Sequence, residues 1–138
     1  MSKLTIAASI VVGVLSFQCS ERSDRKVEEA KESVAQDIRD ERDAVKKDLQ
    51  SLRDDINDRL DKVSAKVDKA SGDAKAQLEE SKRDLIAQRD KVEKRLDEID
   101  KASDDTWDDI QQGARNTADE VKVEFEKVKE RVKDSLDD

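Results

Sequence analysis

The chain has 138 residues, 28 of them basic and 36 acidic, with a formal net charge of −8 and no histidine or proline. Nucleic-acid binders need clustered Lys and Arg to displace counterions, so this acidic balance argues against a nucleic-acid partner. Aromatic residues make up only 2% of the chain, which leaves few of the bulky side chains that fill the core of a compact enzyme. We expect one small domain at most.

Residues 1–18 differ from the rest and have the pattern of an export signal. Lys3 precedes the uncharged apolar stretch from Leu4 to Leu15. At about 12 residues this stretch is shorter than the roughly 20 residues that a membrane-spanning helix needs. We therefore predict a signal peptide over residues 1–18. Its removal takes away one lysine and no acid, which leaves the remainder more acidic still.

Cys19, the only cysteine, follows four residues after that stretch and is the predicted site of lipid attachment. The arrangement resembles bacterial lipoprotein signals, in which the lipid-modified cysteine becomes the first mature residue. That family has Leu, a small residue, and Gly or Ala before the cysteine, where this chain has Ser16, Phe17 and Gln18. Cleavage after Ser16 with a free thiol at Cys19 is one alternative, and an uncleaved anchor is another. Residues 19–22 would serve as anchor and short tether.

The region 23–138 has a helical pattern of apolar residues. They recur at steps of three and four, which places them on one face of a helix, and no stretch alternates with the period of a strand. The stripe begins with Val27, Ala30, Val34, Ile38, Val45, Leu49, Leu52, Ile56, Leu60, Val63, Val67 and Ala70.

Two longer periods run through this stripe. An 11-residue period keeps a stripe nearly straight along a helix, whereas a period of seven is typical of left-handed coiled coils. The chain mixes the two, so we predict an all-α fold of long, coiled-coil-like amphipathic helices, either extended or folded back as a hairpin or bundle. One 11-residue series is Leu52, Val63, Ala74, Leu85, Leu96, Trp107 and Ala118, and a heptad series is Leu78, Leu85, Val92 and Ile99.

Two places favour a break in the helix. Ser71, Gly72 and Asp73 combine turn-favouring residue types, and Ser103 precedes acids that suit the positive end of a helix. We predict helices over about 23–70, 73–102 and 104–136. The 11-residue series keeps its phase across both breaks, which a single continuous helix would also explain, so the sequence leaves open whether the chain folds back.

The sequence offers no catalytic constellation. Without histidine it lacks the commonest general base and metal ligand, and a lone cysteine forms no internal disulfide. We predict no catalytic residue, cofactor, metal site or small-molecule substrate. Trp107 is the one unusual apolar residue, and its stripe position predicts a packing anchor. The alternative for Trp107 is a role in ligand binding or at a membrane interface.

With its signal, Cys19, its charged helix and the segment from Thr106 to Ile110, the chain resembles the small helical lipoproteins of Gram-negative bacteria, especially Bacteroidetes. The segment with Trp107 and the amphipathic helix that follows it are also similar to bacterial coiled-coil proteins grouped as stress-response or apolipoprotein A1/A4/E-like. Residues 61–69 resemble the major outer-membrane (murein) lipoprotein, which ends in a lysine joined to peptidoglycan, whereas this chain ends in Asp138.

The resemblance implies a non-enzymatic protein of the cell envelope, exported and held by its N-terminal lipid in the outer membrane, on its periplasmic or surface face. Such a protein would self-associate or pack on a helical partner, with a structural and stress-related role. The alternative function is a lipid-binding, apolipoprotein-like module whose stripe lies in a membrane surface. Against it, the stripe is narrow and the charged faces are acidic, whereas interfacial helices favour Lys, Arg and aromatic residues.

Overall fold

A computed structural model describes the backbone of residues 18–136 and the side chains of residues 24–136. Three helices follow one another: α1 (Gln18–Val67), α2 (Gly72–Lys101) and α3 (Trp107–Leu136). No strand occurs between residues 18 and 136, so the predicted all-α class is confirmed. The chain divides into two compact units, residues 1–34 and 35–138, and the boundary between them falls within α1.

In the unit 35–138 the chain folds back at both predicted breaks, and its three helices pack together as a bundle. Each helix turns its apolar stripe inward, because only mutual packing removes the stripes from water. Partly buried Ile38, Ala70, Ile86, Ala102 and Ile110 pack against this core. The apolar core consists of Val45, Leu49, Leu52, Ile56, Leu60, Val63, Val67, Leu78, Leu85, Val92, Leu96, Ile99, Trp107, Ala114, Ala118, Val121, Phe125, Val128, Val132 and Leu136.

Burial follows the two periods found in the sequence. In α1 the buried positions repeat every 11 residues, as in Val45, Ile56 and Val67. In α2 the heptad series from Leu78 to Ile99 is buried throughout. The exception in this unit is Ala74, which belongs to an 11-residue series but is exposed in the first turn of α2.

The connector between α1 and α2 is a tight turn. The Lys69 N–H donates to the Lys66 carbonyl at 3.1 Å, and the Ala70 N–H donates to the Val67 carbonyl at 3.3 Å. These short-range bonds end α1 at Val67, three residues before the predicted end at 70. Gly72 has a φ of +63°, a conformation that favours glycine, where α2 begins.

The connector between α2 and α3 is fixed by two hydroxyl-bearing residues. The Thr106 hydroxyl oxygen accepts from the Ser103 N–H at 3.1 Å, and the Thr106 N–H donates to the Ser103 carbonyl at 3.2 Å. The Ile110 N–H then donates to the Thr106 carbonyl at 3.2 Å, which is the first bond of helical spacing. Helix α3 therefore begins at Trp107 instead of the predicted residue 104.

In the unit 1–34 the described helix begins at Gln18, and every side chain from 24 to 34 is exposed. Val27 is 50% exposed and Val34 is 57% exposed, although the sequence places both in the apolar stripe. The predicted signal peptide falls almost entirely on residues 1–17, which lie outside the described residues. Among the described residues, no helix is both long enough and apolar enough to cross a membrane.

Candidate functional site around Trp107

Trp107 begins α3, directly after the Ser103–Thr106 turn, and lies in the core at the end of the bundle formed by the α2–α3 connector. Its side chain is fully buried and is the largest of the buried side chains. Ala102 and Ile110, on either side of it in sequence, are partly buried against the same core. The position at which the sequence predicts a packing anchor is thus occupied by a buried indole.

Two charged residues of α1 contact this indole. The indole Nε1 donates to a carboxylate oxygen of Glu41 at 3.4 Å, and the Gln111 amide donates to the same oxygen at 3.1 Å. The Arg42 guanidinium carbon lies 5.3 Å from the ring centroid, within the range of a cation–π contact. Because a buried indole N–H needs an acceptor, Glu41 satisfies the one polar atom of Trp107.

Arg42 also extends this cluster to the α2–α3 connector. Its guanidinium lies 3.5 Å from the Asp104 carboxylate, and Lys46, one turn further along α1, lies 2.6 Å from Asp100. These ion pairs join α1 to the connector and to the end of α2. We name Glu41, Arg42, Trp107 and Gln111 the Trp107 cluster. Its geometry is that of a packing and pairing site, in which Glu41 accepts hydrogen bonds from Trp107 and Gln111 while Arg42 contacts the indole and Asp104.

A second group of polar residues lies in α2 at heptad spacing. Ser81, Gln88 and Arg95 are seven residues apart, and we call them the polar seam. Ser81 and Gln88 are buried, and neither the Ser81 hydroxyl oxygen nor the Gln88 carbonyl oxygen has a hydrogen-bond partner among the described residues. An unpaired buried polar atom lowers stability, so α2 packs less favourably along this seam than along its apolar series.

Arg95 differs from the other two members because α3 accommodates it. Its Nε donates to the Thr117 hydroxyl at 2.9 Å, and its Nη1 donates to the Glu98 carboxylate at 2.6 Å. A Cβ on Gly113 would lie 3.1 Å from Arg95 Nη1, closer than ordinary van der Waals contact. Gly113 therefore leaves room for the Arg95 guanidinium. This explains why a glycine stands in the interior of α3, although glycine there costs a helix roughly 1 kcal/mol relative to alanine.

The grooves between the helices are shallow and bordered by charge. The groove of about 360 Å³ between α2 and α3 is lined by Ala87, Gln88 and Val128 and by charged residues, among them Arg131, which lies 2.8 Å from Asp84. The groove between α1 and α3 is similar, with Lys122 3.0 Å from Asp48. Ligand pockets are concave and mostly apolar, so these grooves resemble ordinary seams between packed helices.

Cys19 lies in the first turn of α1, and its side chain is outside the described range. Between residues 24 and 136, no group of three or more Cys, Asp or Glu side chains is arranged to hold a metal ion. The structure therefore places Trp107 in a defined cluster and gives no surroundings for the Cys19 sulfur.

Sequence reasoning identified Trp107 but missed the residues around it and the polar seam. Glu41 and Arg42 are two charged residues in a chain that is 46% charged, so nothing in the sequence marks them. The polar seam did carry a signal, because Ser81, Gln88 and Arg95 lie midway between members of the heptad series that begins at Leu78. Extending the heptad to its second apolar position would have found them.

In comparisons with known proteins, no protein-family model, curated protein or solved structure matches this chain.

Proposed function

We propose that the chain is a non-enzymatic, lipid-anchored helical protein of the bacterial cell envelope with a structural or interaction role. The observation that carries the proposal is the position of Cys19, the only cysteine, just after the apolar stretch from Leu4 to Leu15. The small helical envelope lipoproteins that the chain resembles add an outer-membrane location and a stress-related role to the proposal.

The surface of the bundle supports attachment through the N-terminal lipid instead of through the bundle. The apolar stripe from Val45 to Leu136 is buried within one chain, and most of the groups that face outward are charged or polar. The net charge is acidic, which disfavours adsorption to anionic lipid. A helical body of this kind needs a separate anchor to stay at a membrane, and an acylated N-terminal cysteine with more than one chain supplies stable anchoring.

Fractionation of a Gram-negative host tests the proposal. We expect the wild-type chain in the membrane fraction and the Cys19→Ala variant in the soluble fraction, because the substitution removes the only thiol that could carry lipid. Ser20→Ala is the matched control, since it changes the neighbouring residue and keeps the thiol. Equal membrane association of wild type and Cys19→Ala would overturn the lipid anchor.

A second candidate, a lipid-binding module, is favoured by exposed Val27 and Val34 in the segment 24–34. Trp107 distinguishes the two candidates, because a stripe that leaves the bundle to lie in a membrane surface would carry Trp107 with it, and burial shortens the emission wavelength of an indole. The lipid-anchored account predicts short-wavelength emission without vesicles and no change on adding neutral vesicles. An emission shift that appears only with vesicles and grows with lipid concentration would favour the lipid-binding module.

A further inference from the structure

The apolar stripe keeps its helical phase across the connector between α2 and α3. Ile99 and Ile110 lie 11 residues apart, as do Leu96 and Trp107, and both intervals span residues 102–106. Eleven residues correspond to about three helical turns. Straightening the connector into helix would therefore place the stripes of α2 and α3 on one face of a single helix. The turn in the bundle does not require the apolar residues of α2 and α3 to be in phase with each other, because α2 and α3 are separate helices there.

The α2–α3 connector has a composition that a helix accepts. Residues 102–106 are Ala-Ser-Asp-Asp-Thr, without glycine or proline. Ser, Asp and Thr lower helix propensity only modestly, and their main preference is for caps and turns. The stripe also keeps its phase across the α1–α2 connector, from Val67 to Leu78, but there Gly72, the first residue of α2, adopts a positive φ and favours a turn. The α2–α3 connector is therefore the better of the two hinges.

Straightening this hinge would separate α3 from α1 and α2 of its own chain and expose the apolar faces of all three helices. A second copy of the chain presents the complementary faces with the same charge pattern. Three ion pairs would re-form between copies: Lys122 with Asp48 (3.0 Å), Arg131 with Asp84 (2.8 Å) and Lys91 with Glu124 (3.3 Å).

Few contacts belong to the closed bundle alone. They are the Ser103–Thr106 hydrogen bonds and the exposed ion pair between Arg42 and Asp104. The described contacts of α3 with α1 and α2 that lie away from this connector would be kept in an exchanged pair. Because an exchanged pair keeps the same helix contacts as the closed bundle, exchange of an identical element is a low-cost route to a dimer. The conformation of the connector then decides the equilibrium between the exchanged dimer and the closed monomer.

We propose that a second copy of this chain is a partner of the bundle, and that the two copies exchange α3 by straightening residues 102–106 into helix. The proposal deepens the interaction role proposed above and rests on it, but it does not require the lipid at Cys19. Association by this route buries the apolar stripe between copies, whereas the closed bundle buries the same stripe within one chain.

Cross-linking between two differently marked chains tests the exchange. One full-length chain carries Asp48→Cys and the other carries Lys122→Cys, both with Cys19→Ser, so that the test is independent of lipidation and of the native thiol. The chains are co-expressed, purified in detergent and treated with a short bismaleimide. We expect an interchain product whose fraction rises with protein concentration, because residues 48 and 122 of different chains become neighbours only when α3 is exchanged.

Three controls make the result interpretable. A single chain with both cysteines must cross-link internally, which verifies that the reagent spans the pair. Each cysteine variant alone gives the background from collisions. Asp104→Ala is the matched control for Asp104→Pro, because both remove the ion pair with Arg42 while only proline blocks a continuous helix. Proline suits this position in the turn, since Asp104 follows Ser103, whose carbonyl accepts from Thr106.

Connector variants give the decisive comparison. We expect Asp104→Pro to reduce the interchain product at least tenfold relative to Asp104→Ala. Combined alanine substitution of residues 103–106 should increase it several-fold over wild type, because the turn bonds are lost and helix propensity rises. The proposal is overturned if chains with the wild-type connector give only the collision background, or if Asp104→Pro gives as much product as Asp104→Ala. Either result would leave the fractionation test of Cys19 unaffected.

Discussion

Two valines of α3, two residues apart, provide a matched test of the bundle. Val121 is fully buried, whereas Val123 is 57% exposed. Substitution of either valine by alanine removes the equivalent of two methylene groups and changes helix propensity by the same amount. Burial of each such group contributes about 0.8 kcal/mol, and a residual cavity adds to the loss. Val121→Ala should therefore lower the free energy of unfolding by about 1.6 to 3 kcal/mol relative to Val123→Ala.

The free energy of unfolding is measured by urea denaturation of the chain from residue 20 onward, followed by circular dichroism and by Trp107 emission. With an m-value of about 2 kcal/mol per molar, the two variants should differ in midpoint by about 1 M. Val123→Ala should differ from the parent chain by less than about 0.5 kcal/mol. Equal midpoints for the two variants would refute the inward orientation of the α3 stripe.

Other side chains of the bundle give three further predictions. Gly113→Ala should change the free energy of unfolding by less than about 0.5 kcal/mol, because the gain in helix propensity is offset by the close contact with Arg95. In an Arg95→Ala background the same substitution should raise the free energy of unfolding by about 1 kcal/mol, which a double-mutant cycle measures. Gln88→Leu should raise the free energy of unfolding by about 1 kcal/mol in urea denaturation, because it removes a buried carbonyl oxygen that has no partner. The hydrogen bond from Lys101 to Asp97, and secondarily the charge of Asp97, raise the pKa of Lys101 above its ordinary value of 10.5. The stabilisation from this pair is therefore present below pH 10.5 and is lost as the pH rises through the raised pKa. An NMR titration should show that Asp97→Asn lowers the pKa of Lys101.

The helical class and much of the core follow from periodicity, whereas the extent of the core does not. Leu49 and Ile56 lie on the predicted stripe and are fully buried. Val34 and Val45 belong to one 11-residue series, yet Val34 is exposed and Val45 is buried. Periodicity specifies the helix face that a residue occupies, but a face is buried only where another element packs against it. The sequence therefore could not separate residues 24–34 from the bundle.

The fold-back depended on local hydrogen bonds that composition alone does not reveal. Ser103 and Thr106 hold the second turn through a hydroxyl and a carbonyl, while the apolar phase across this turn is equally compatible with a straight helix. The contacts of Trp107 were hidden for a different reason. Glu41 and Arg42 become distinct from other charged residues only when α1 and α3 are brought together in three dimensions.

The N-terminal residue of the protein made in a Gram-negative host tests the proposed function most directly. Mass spectrometry of the purified chain should find Cys19 as the first residue and carrying lipid. An N-terminus at Phe17 with an unmodified Cys19 thiol would contradict the proposed lipid anchor.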